Sequence, residues 1–246
     1  MIKTINIYGY HPIKEAINSK YIKVLIVFIN NSREKKYKLL IKNLYLKKIP
    51  IKILNKDQFN KIINITKIKN YQGIVANINF IKTFTLKDII LNKNKKLIIL
   101  ILYNITDTKN IGSIIRTSAC FNVDFIIIPN NYYIYNTKII KISSGAIFKI
   151  PICRVKNIEQ SIKILIKNNI KIISITEKGN KNIKNYFKIN KFSIALILGN
   201  EETGIPKNIL NMSIDKVYIP INKNKISSLN VSIACGIILY EIYTNL

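Results

Sequence analysis

From residue 97 onward, short and almost continuously apolar runs alternate with segments of helical periodicity. "LIILILY" (97–103), "DFIIIP" (124–129), "IKIISIT" (170–176) and "FSIALILGN" (192–200) read as buried strands. "ISSGAIFKIPICRV" (142–155) holds a turn and a strand, and "DKVYIPI" (215–221) is a further strand. Helical patterns lie at 110–121 and 158–169, and 227–246 is a long final helix. Short apolar strands alternating with helices predict an α/β fold with a parallel sheet covered on both faces. In such sheets ligands bind at the carboxyl ends of the strands, so the loops there are where chemistry is to be sought.

The first eighty residues read as a separate, smaller α/β unit. "YGYHPIKEAIN" (8–18) is a turn and short helix, and "IKVLIVFIN" (22–30), "IPIKIL" (49–54) and "YQGIVANINF" (71–80) are strands. Between them, residues 32–48 are helical with Ser32 as N-cap, and 57–66 are helical with Asp57 as cap. Residues 81–96 lose this regularity and read as the connection to the second unit; the alternative is a helix packed on one of the two units. The expected domains are therefore 1–80, a linker at 81–96, and 97–246.

Charge narrows the partner. The chain of 246 residues carries 40 Lys+Arg against 12 Asp+Glu, a net +28, and nucleic acid is the default partner for such a field. Ile, Lys and Asn are all over-represented and all have A/T-rich codons, so mutational drift is an alternative source of many lysines. That drift makes the exceptions informative: three arginines (Arg33, Arg116, Arg154), one histidine (His11) and eight glycines. Three widely spaced cysteines suit neither a disulfide framework nor a zinc site, so no metal is expected. "MIKTINIYGYHPIKEA" has no continuous apolar core, and no apolar run reaches the ~18 residues a membrane helix needs. A reduced cytoplasmic protein, with no membrane contact, is the expectation.

Three strand-to-helix loops carry unusual residues. "GNEETGIP" (199–206) has the spacing of a phosphate-binding loop, yet Ile205 and Pro206 stand where Lys and Ser/Thr are needed. Its two carboxylates would repel a triphosphate; a cationic ligand, or one needing acceptors, fits better. The alternative is a tight turn with Glu201 and Glu202 in the first turn of a helix, favourable to its dipole. In "NITDTKNIGSIIRTSACF" (104–121), Arg116 offers a planar fork that lysine cannot, or is a surface arginine on an amphipathic helix. In "IPINKNKISSLNVSIA" (219–234), Ser227 or Ser228 caps the last helix, Leu229, Val231, Ile233, Ile237 and Ile238 form its apolar side, and the Asn230 amide can reach back toward the strand ends. Gly9, Gly73, Gly112, Gly145, Gly199 and Gly204 fall in turns or strand ends, and Gly236 would allow close packing inside the last helix.

Taken together, "ITDTKNIGSIIRTSACFNV", "LILGNEETGIP" and "YIPINKNKISSLNVSIACGIILYE", in that order, resemble the three motifs of the TrmH/SpoU-type RNA ribose 2′-O-methyltransferases of the SPOUT superfamily. The likeness is closest to their 23S rRNA (guanosine-2′-O)-methyltransferase subgroup, the RlmB type. "YGYHPIKEAI" and "YQGIVANI" are similar to the ends of that subgroup's L30e-like RNA-binding domain. The resemblance implies a trefoil-knotted parallel-sheet catalytic domain, S-adenosylmethionine as cofactor, 23S rRNA as substrate and a homodimer. By motif it implies that Leu198, Gly199, Ile219 and Leu229 line the cofactor site and that Asn110, Arg116, Glu201, Ser228 and Asn230 form the catalytic neighbourhood. It implies that glycines let the backbone approach the cofactor, whose sulfonium tolerates the two carboxylates. Three departures stand out: Asp107-Thr108-Lys109-Asn110 where the family often has D-P-H-N, Glu202-Thr203 where an acidic-glycine pair is usual, and "NKNK" (222–225) where a glycine is usual. Other functions compatible with the chain are a tRNA ribose methyltransferase, an antibiotic-resistance rRNA methyltransferase, and a non-catalytic RNA-binding ribosome-assembly factor.

Overall fold

A computed structural model describes residues 4–66, 71–81, 83–92, 95–187 and 192–245. In chain order the amino-terminal elements are β1 (Ile5–Tyr8), α1 (Tyr10–Asn18), β2 (Ile22–Asn30), α2 (Lys38–Leu46), β3 (Ile51–Leu54), α3 (Lys56–Thr66) and β4 (Ile74–Phe80). There follow α4 (Leu86–Leu91), β5 (Ile98–Leu102), α5 (Thr108–Cys120), β6 (Phe125–Pro129), α6 (Thr137–Ile142), β7 (Ile152–Val155), α7 (Ile158–Lys167) and β8 (Lys171–Ile175). The chain finishes with β9 (Lys181–Asn182), α8 (Ile183–Tyr186), β10 (Ile194–Leu198), α9 (Lys207–Leu210), β11 (Asp215–Tyr218) and α10 (Val231–Thr244).

Two compact units result, one of Met1–Thr83 with Tyr135–Lys149, the other of Phe84–Ile134 with Ile150–Leu246. The first has a four-stranded sheet in the order β1-β4-β2-β3, with β4 antiparallel to both neighbours and β3 parallel to β2. β1 is a strand that periodicity did not reveal: four residues are too few to show a period. Residues 135–149, inside the expected 97–246 domain, pack on this first unit. Gly145 sits at φ +82°, and a Cβ there would lie 2.8 Å from Pro12 Cα, so only glycine lets this segment reach α1. Ser19 Oγ donates to the Phe148 carbonyl at 2.6 Å, and Lys149 pairs with Glu15 at 2.8 Å.

The second unit is a seven-stranded sheet in the order β7-β6-β5-β10-β8-β11-β9, parallel at every pairing. Every residue of β5 and β10 is buried, as a sheet covered on both faces requires. Ile158, Ile162 and Leu165 bring one stripe of α7 onto this core, beside Ile99, Ile127, Ile172 and Ile197. Each such aliphatic side chain contributes about 1.5–3 kcal/mol by leaving water. The expected linker contains α4, whose Ile89 is fully buried in the same core. Thr85 holds its start, N–H and hydroxyl both donating to Asp88 at 2.9 Å.

Several local expectations are corrected. Residues 31–37 are 3-10 turns entered through Asn30, whose Oδ1 accepts from Ser32 N–H, so Ser32 is not the cap and α2 starts only at Lys38. Asn55, not Asp57, caps α3: its Oδ1 accepts from Gln58 N–H at 2.9 Å, and its own N–H donates back to Gln58 Oε1. Gly112 lies inside α5 rather than in a turn. In α10 the inward stripe is Cys235, Ile238, Leu239 and Ile242, while Ile233 is 56% and Ile237 39% exposed. A Cβ on Gly236 would meet Thr117 Cγ2 at 3.8 Å, an ordinary contact, so packing of α10 on α5 does not require glycine there. Among the described residues no helix is long and apolar enough to cross a membrane.

Candidate active site

Because all strands of the larger sheet are parallel, the loops after β5 and β10 open on the same edge. β5 and β10 are neighbours in register, Leu102 opposite Leu198, and Tyr103 N–H donates to the Leu198 carbonyl at 2.8 Å. The two loops leave the sheet side by side. Leu198 is 2% exposed, closing the core just below them.

The 199–204 loop is held by its own hydrogen bonds around Asn200. Backbone bonds join Asn200 and Gly204 in both directions, at 3.1 and 3.0 Å. Asn200 Oδ1 accepts from Glu202 N–H, Thr203 N–H and the Thr203 hydroxyl. Its amide nitrogen donates to the Asn104 carbonyl at 2.7 Å, stitching this loop to the one after β5. A Cβ on Gly199 would sit 2.6 Å from Gly204 carbonyl carbon, so the closing of the loop on itself is enough to require glycine at 199. Gly204, at φ +68°, instead faces open space. Glu201 and Glu202 stand in this turn, and the following helix α9 begins only after Pro206, so neither lies in a helical first turn.

Asn110 is the junction. Asp107 caps α5, its carboxylate accepting from Lys109 N–H at 2.8 Å, and this places Asn110 in the first turn, 7% exposed. Asn110 Nδ2 donates to Glu201 Oε1 at 2.8 Å, and its Oδ1 accepts from Asn230 Nδ2 at 3.0 Å. The other Glu201 oxygen accepts from Thr106 N–H at 3.3 Å. Asn230 in turn caps α10: its Oδ1 accepts from Ser232 N–H at 2.9 Å and from the Ser232 hydroxyl at 2.6 Å. Asparagine, not Ser227 or Ser228, is thus the cap, and its amide reaches α5. Three segments separated by 91 and 120 residues meet on one side chain.

The remaining candidates are placed around this junction without hydrogen bonds to it. Arg116 is exposed, two turns further along α5. Ser228 is exposed two residues before Asn230. Ile219 and Leu229 are half-buried, one just after β11 and the other just before Asn230, and Gly199 is half-buried at the end of β10. Three participants were missed by sequence reasoning: Asn200, Thr106 and Tyr132. For Asn200 a signal existed, since asparagine ahead of a short polar stretch and a glycine favours such a turn. Tyr132 follows β6, and burial, reinforced by the Glu201 carboxylate, pushes its phenol above the usual tyrosine range.

Comparison with known proteins gives the family. The SpoU rRNA methylase family matches residues 97–240, the span holding all three loops. The chain belongs to that family. Residues 6–84 match the RNA 2′-O ribose methyltransferase substrate-binding family, so the two units are a methylase domain and an RNA substrate-binding domain. Among relatives, the 23S rRNA (guanosine-2′-O-)-methyltransferase RlmB of Blochmanniella floridana is 33% identical over 244 residues, covering 96% of this chain and 92% of that one. Among solved structures, an AdoMet-bound rRNA methyltransferase from Sinorhizobium meliloti superposes with a TM-score of 0.78 at 21% identity, over 99% of this chain and 88% of that one. The SpoU methyltransferase AviRb from Streptomyces viridochromogenes, in complex with AdoMet, gives 0.79 at 21% identity, over 98% and 90%. This SpoU member is accordingly an RNA 2′-O-ribose methyltransferase with the parallel-sheet fold of its relatives.

Proposed function

We propose that the chain methylates the ribose 2′-oxygen of a guanosine in 23S rRNA, with S-adenosylmethionine as donor. The observation that carries the reading is the Glu201–Asn110–Asn230 junction, which gathers the three family motifs at one sheet edge. The residues there fit the donor's chemistry: half-buried Ile219 and Leu229 offer apolar surface above buried Leu198, Gly204 borders open space, and exposed Glu201 is compatible with a cation. When bound, the donor supplies an electrophilic methyl on a positively charged sulfur. The protein's task is then chiefly positioning of the sugar hydroxyl. The exposed Arg116 fork orients an RNA phosphate and the hydroxyl and stabilises the alkoxide that develops as the hydroxyl proton leaves to solvent water, and Ser228 belongs to the same catalytic neighbourhood. Asn110, Glu201 and Asn230 hold the three loops in register.

The same reading includes a trefoil knot at the carboxyl-terminal part of the methylase domain and a homodimer. Ile233, Ile237 and Tyr240 form an exposed apolar stripe along α10, suited to a second copy. The three cysteines are free, compatible with the cytoplasm in which ribosomes are assembled. The expected limits of 1–80 and 97–246 shift: the methylase unit begins at Phe84 and takes in α4 from the expected linker, and residues 135–149 pack on the first unit.

Isothermal calorimetry of the purified chain with S-adenosylmethionine tests the assignment. Saturable one-site binding is expected. Absence of binding would favour a non-catalytic RNA-binding assembly factor.

A further inference from the structure

The chain's single histidine and one of its three arginines both lie at one end of the amino-terminal sheet, each following a strand that ends there. β1 and β2 end there and β4 begins there: the register sets Tyr8 and Phe28 opposite Val75. The aliphatic stem of Arg33 lies over Gly73, where an added Cβ would come within 2.6 Å of Arg33 Cγ. Gln72 ties the neighbourhood together, its Oε1 accepting from Tyr10 N–H at 3.0 Å and its carbonyl from the Tyr37 hydroxyl at 2.7 Å. Tyr10 stacks on buried Tyr37, ring centres 5.9 Å apart and planes 8° apart, and meets the His11 ring edge-on at 5.3 Å. His11 and Arg33 stand exposed beside this aromatic pair, and Glu34, Lys35 and Lys36, also exposed, follow Arg33 along the chain. Among the described residues no carboxylate pairs with Arg33.

The chemistry of the cluster selects its ligand. Of 40 cationic residues only three are arginine, so a guanidinium here is not a product of the bias that fills the surface with lysine. A fork suits bidentate contact with phosphate. An exposed imidazole edged by an aromatic ring suits a base face, which duplex RNA does not offer and an unpaired segment does. The positive end of the α1 dipole, at Gly9 and Tyr10, adds to the attraction for phosphate.

We infer that this end of the substrate-binding domain grips an unpaired RNA segment, Arg33 forking a phosphate while His11 stacks on an adjacent base. The inference rests on the proposed function only in taking RNA as the substrate.

The test uses the full chain and an unmodified 23S rRNA transcript, with retention measured by filter binding at fixed salt and without donor. Arg33→Lys keeps the net charge and the stem over Gly73 but removes the fork; His11→Ala removes the ring, and His11→Phe restores a stacking face. Arg33→Lys and His11→Ala are expected to weaken retention about tenfold each, and His11→Phe to recover most of it. S-adenosylmethionine affinity and the thermal midpoint should match the wild type for all three. Retention of Arg33→Lys and His11→Ala within twofold of wild type overturns the site, as does failure of the wild type to retain the transcript. Methyl transfer is read separately: a wild type that retains RNA through these residues yet transfers no methyl refutes the proposed reaction and leaves the site standing.

Discussion

Asn110 uses both ends of its amide on other loops, donating to Glu201 and accepting from Asn230, and it does so while nearly buried. Neither a charged nor an apolar side chain could make both contacts. Asn110→Asp would set a carboxylate against Glu201 and leave one of the two without its partner. At pH 7 we expect a loss of about 2 kcal/mol in stability. Two facing carboxylates favour a shared proton, raising the folded-state pKa of the pair above that of the unfolded chain. Stability of the variant relative to wild type should therefore recover as the pH falls through that raised value. Urea titrations at pH 7 and pH 5 check the sign: a gap between variant and wild type that stays constant or widens toward pH 5 refutes the arrangement. The junction was only partly legible in the sequence. Each residue was marked by its loop, but which amide meets which carboxylate depends on contacts 91 and 120 residues apart, and the Asn200 turn that stitches two loops together was not foreseen.

At the scale of elements, legibility followed burial. β5, β6 and β10 were readable because strands covered on both faces are apolar throughout, and β8 because Ile172, Ile173 and Ile175 keep it nearly so. Helix ends were misplaced where two polar residues competed: Asn30, Asn55 and Asn230 cap, and the nearby Ser32, Asp57 and Ser227 or Ser228 do not. Serine and asparagine cap about equally well, so tertiary placement decides. The short edge strand β9 shows how polar contacts supply what a two-residue strand cannot. Asp215 on β11 pairs with Lys181 at 2.7 Å and accepts from the Tyr186 hydroxyl at 2.6 Å. Partial burial works against the Asp215 charge, but these two hydrogen bonds and the nearby cations outweigh it and hold its carboxyl below the ordinary value of 3.8. A depressed folded pKa contributes stability above the unfolded value and loses it as the pH falls through the folded one. Asp215→Asn should cost about 1 kcal/mol at neutral pH, the Lys181 end being half exposed, and the cost should start to shrink near pH 3.8 and fade as the pH falls through the lower folded value. Thermal unfolding at pH 7 and at pH 2.5 checks this; an equal deficit at both values would contradict it.

For the molecule as a whole, two domains were legible from periodicity, while the return of residues 135–149 to the amino-terminal unit was not, because it hinges on Gly145 having no Cβ against Pro12. Likewise the apolar letters of α10 did not distinguish its inward stripe from its outward one. We assign the outward one, Ile233, Ile237 and Tyr240, to an interface between copies. Multi-angle light scattering should give the mass of the proposed dimer for the wild type and of a monomer for Ile237→Asp, with the protomer still folded by circular dichroism; equal masses would remove that face from the interface. Catalysis, in the proposed reaction, comes down to one sheet edge holding a methyl donor against a ribose hydroxyl while Arg116 orients the two. Mass-spectrometric mapping of 2′-O-methyl groups decides this, using unmodified 23S rRNA and tRNA incubated with the purified chain and isotopically labelled S-adenosylmethionine. We expect labelled 2′-O-methylguanosine at one position of 23S rRNA, none in tRNA, and an initial rate at least about 100-fold lower for Arg116→Lys. No labelled ribose in either RNA, or an Arg116→Lys rate near that of the wild type, would contradict it.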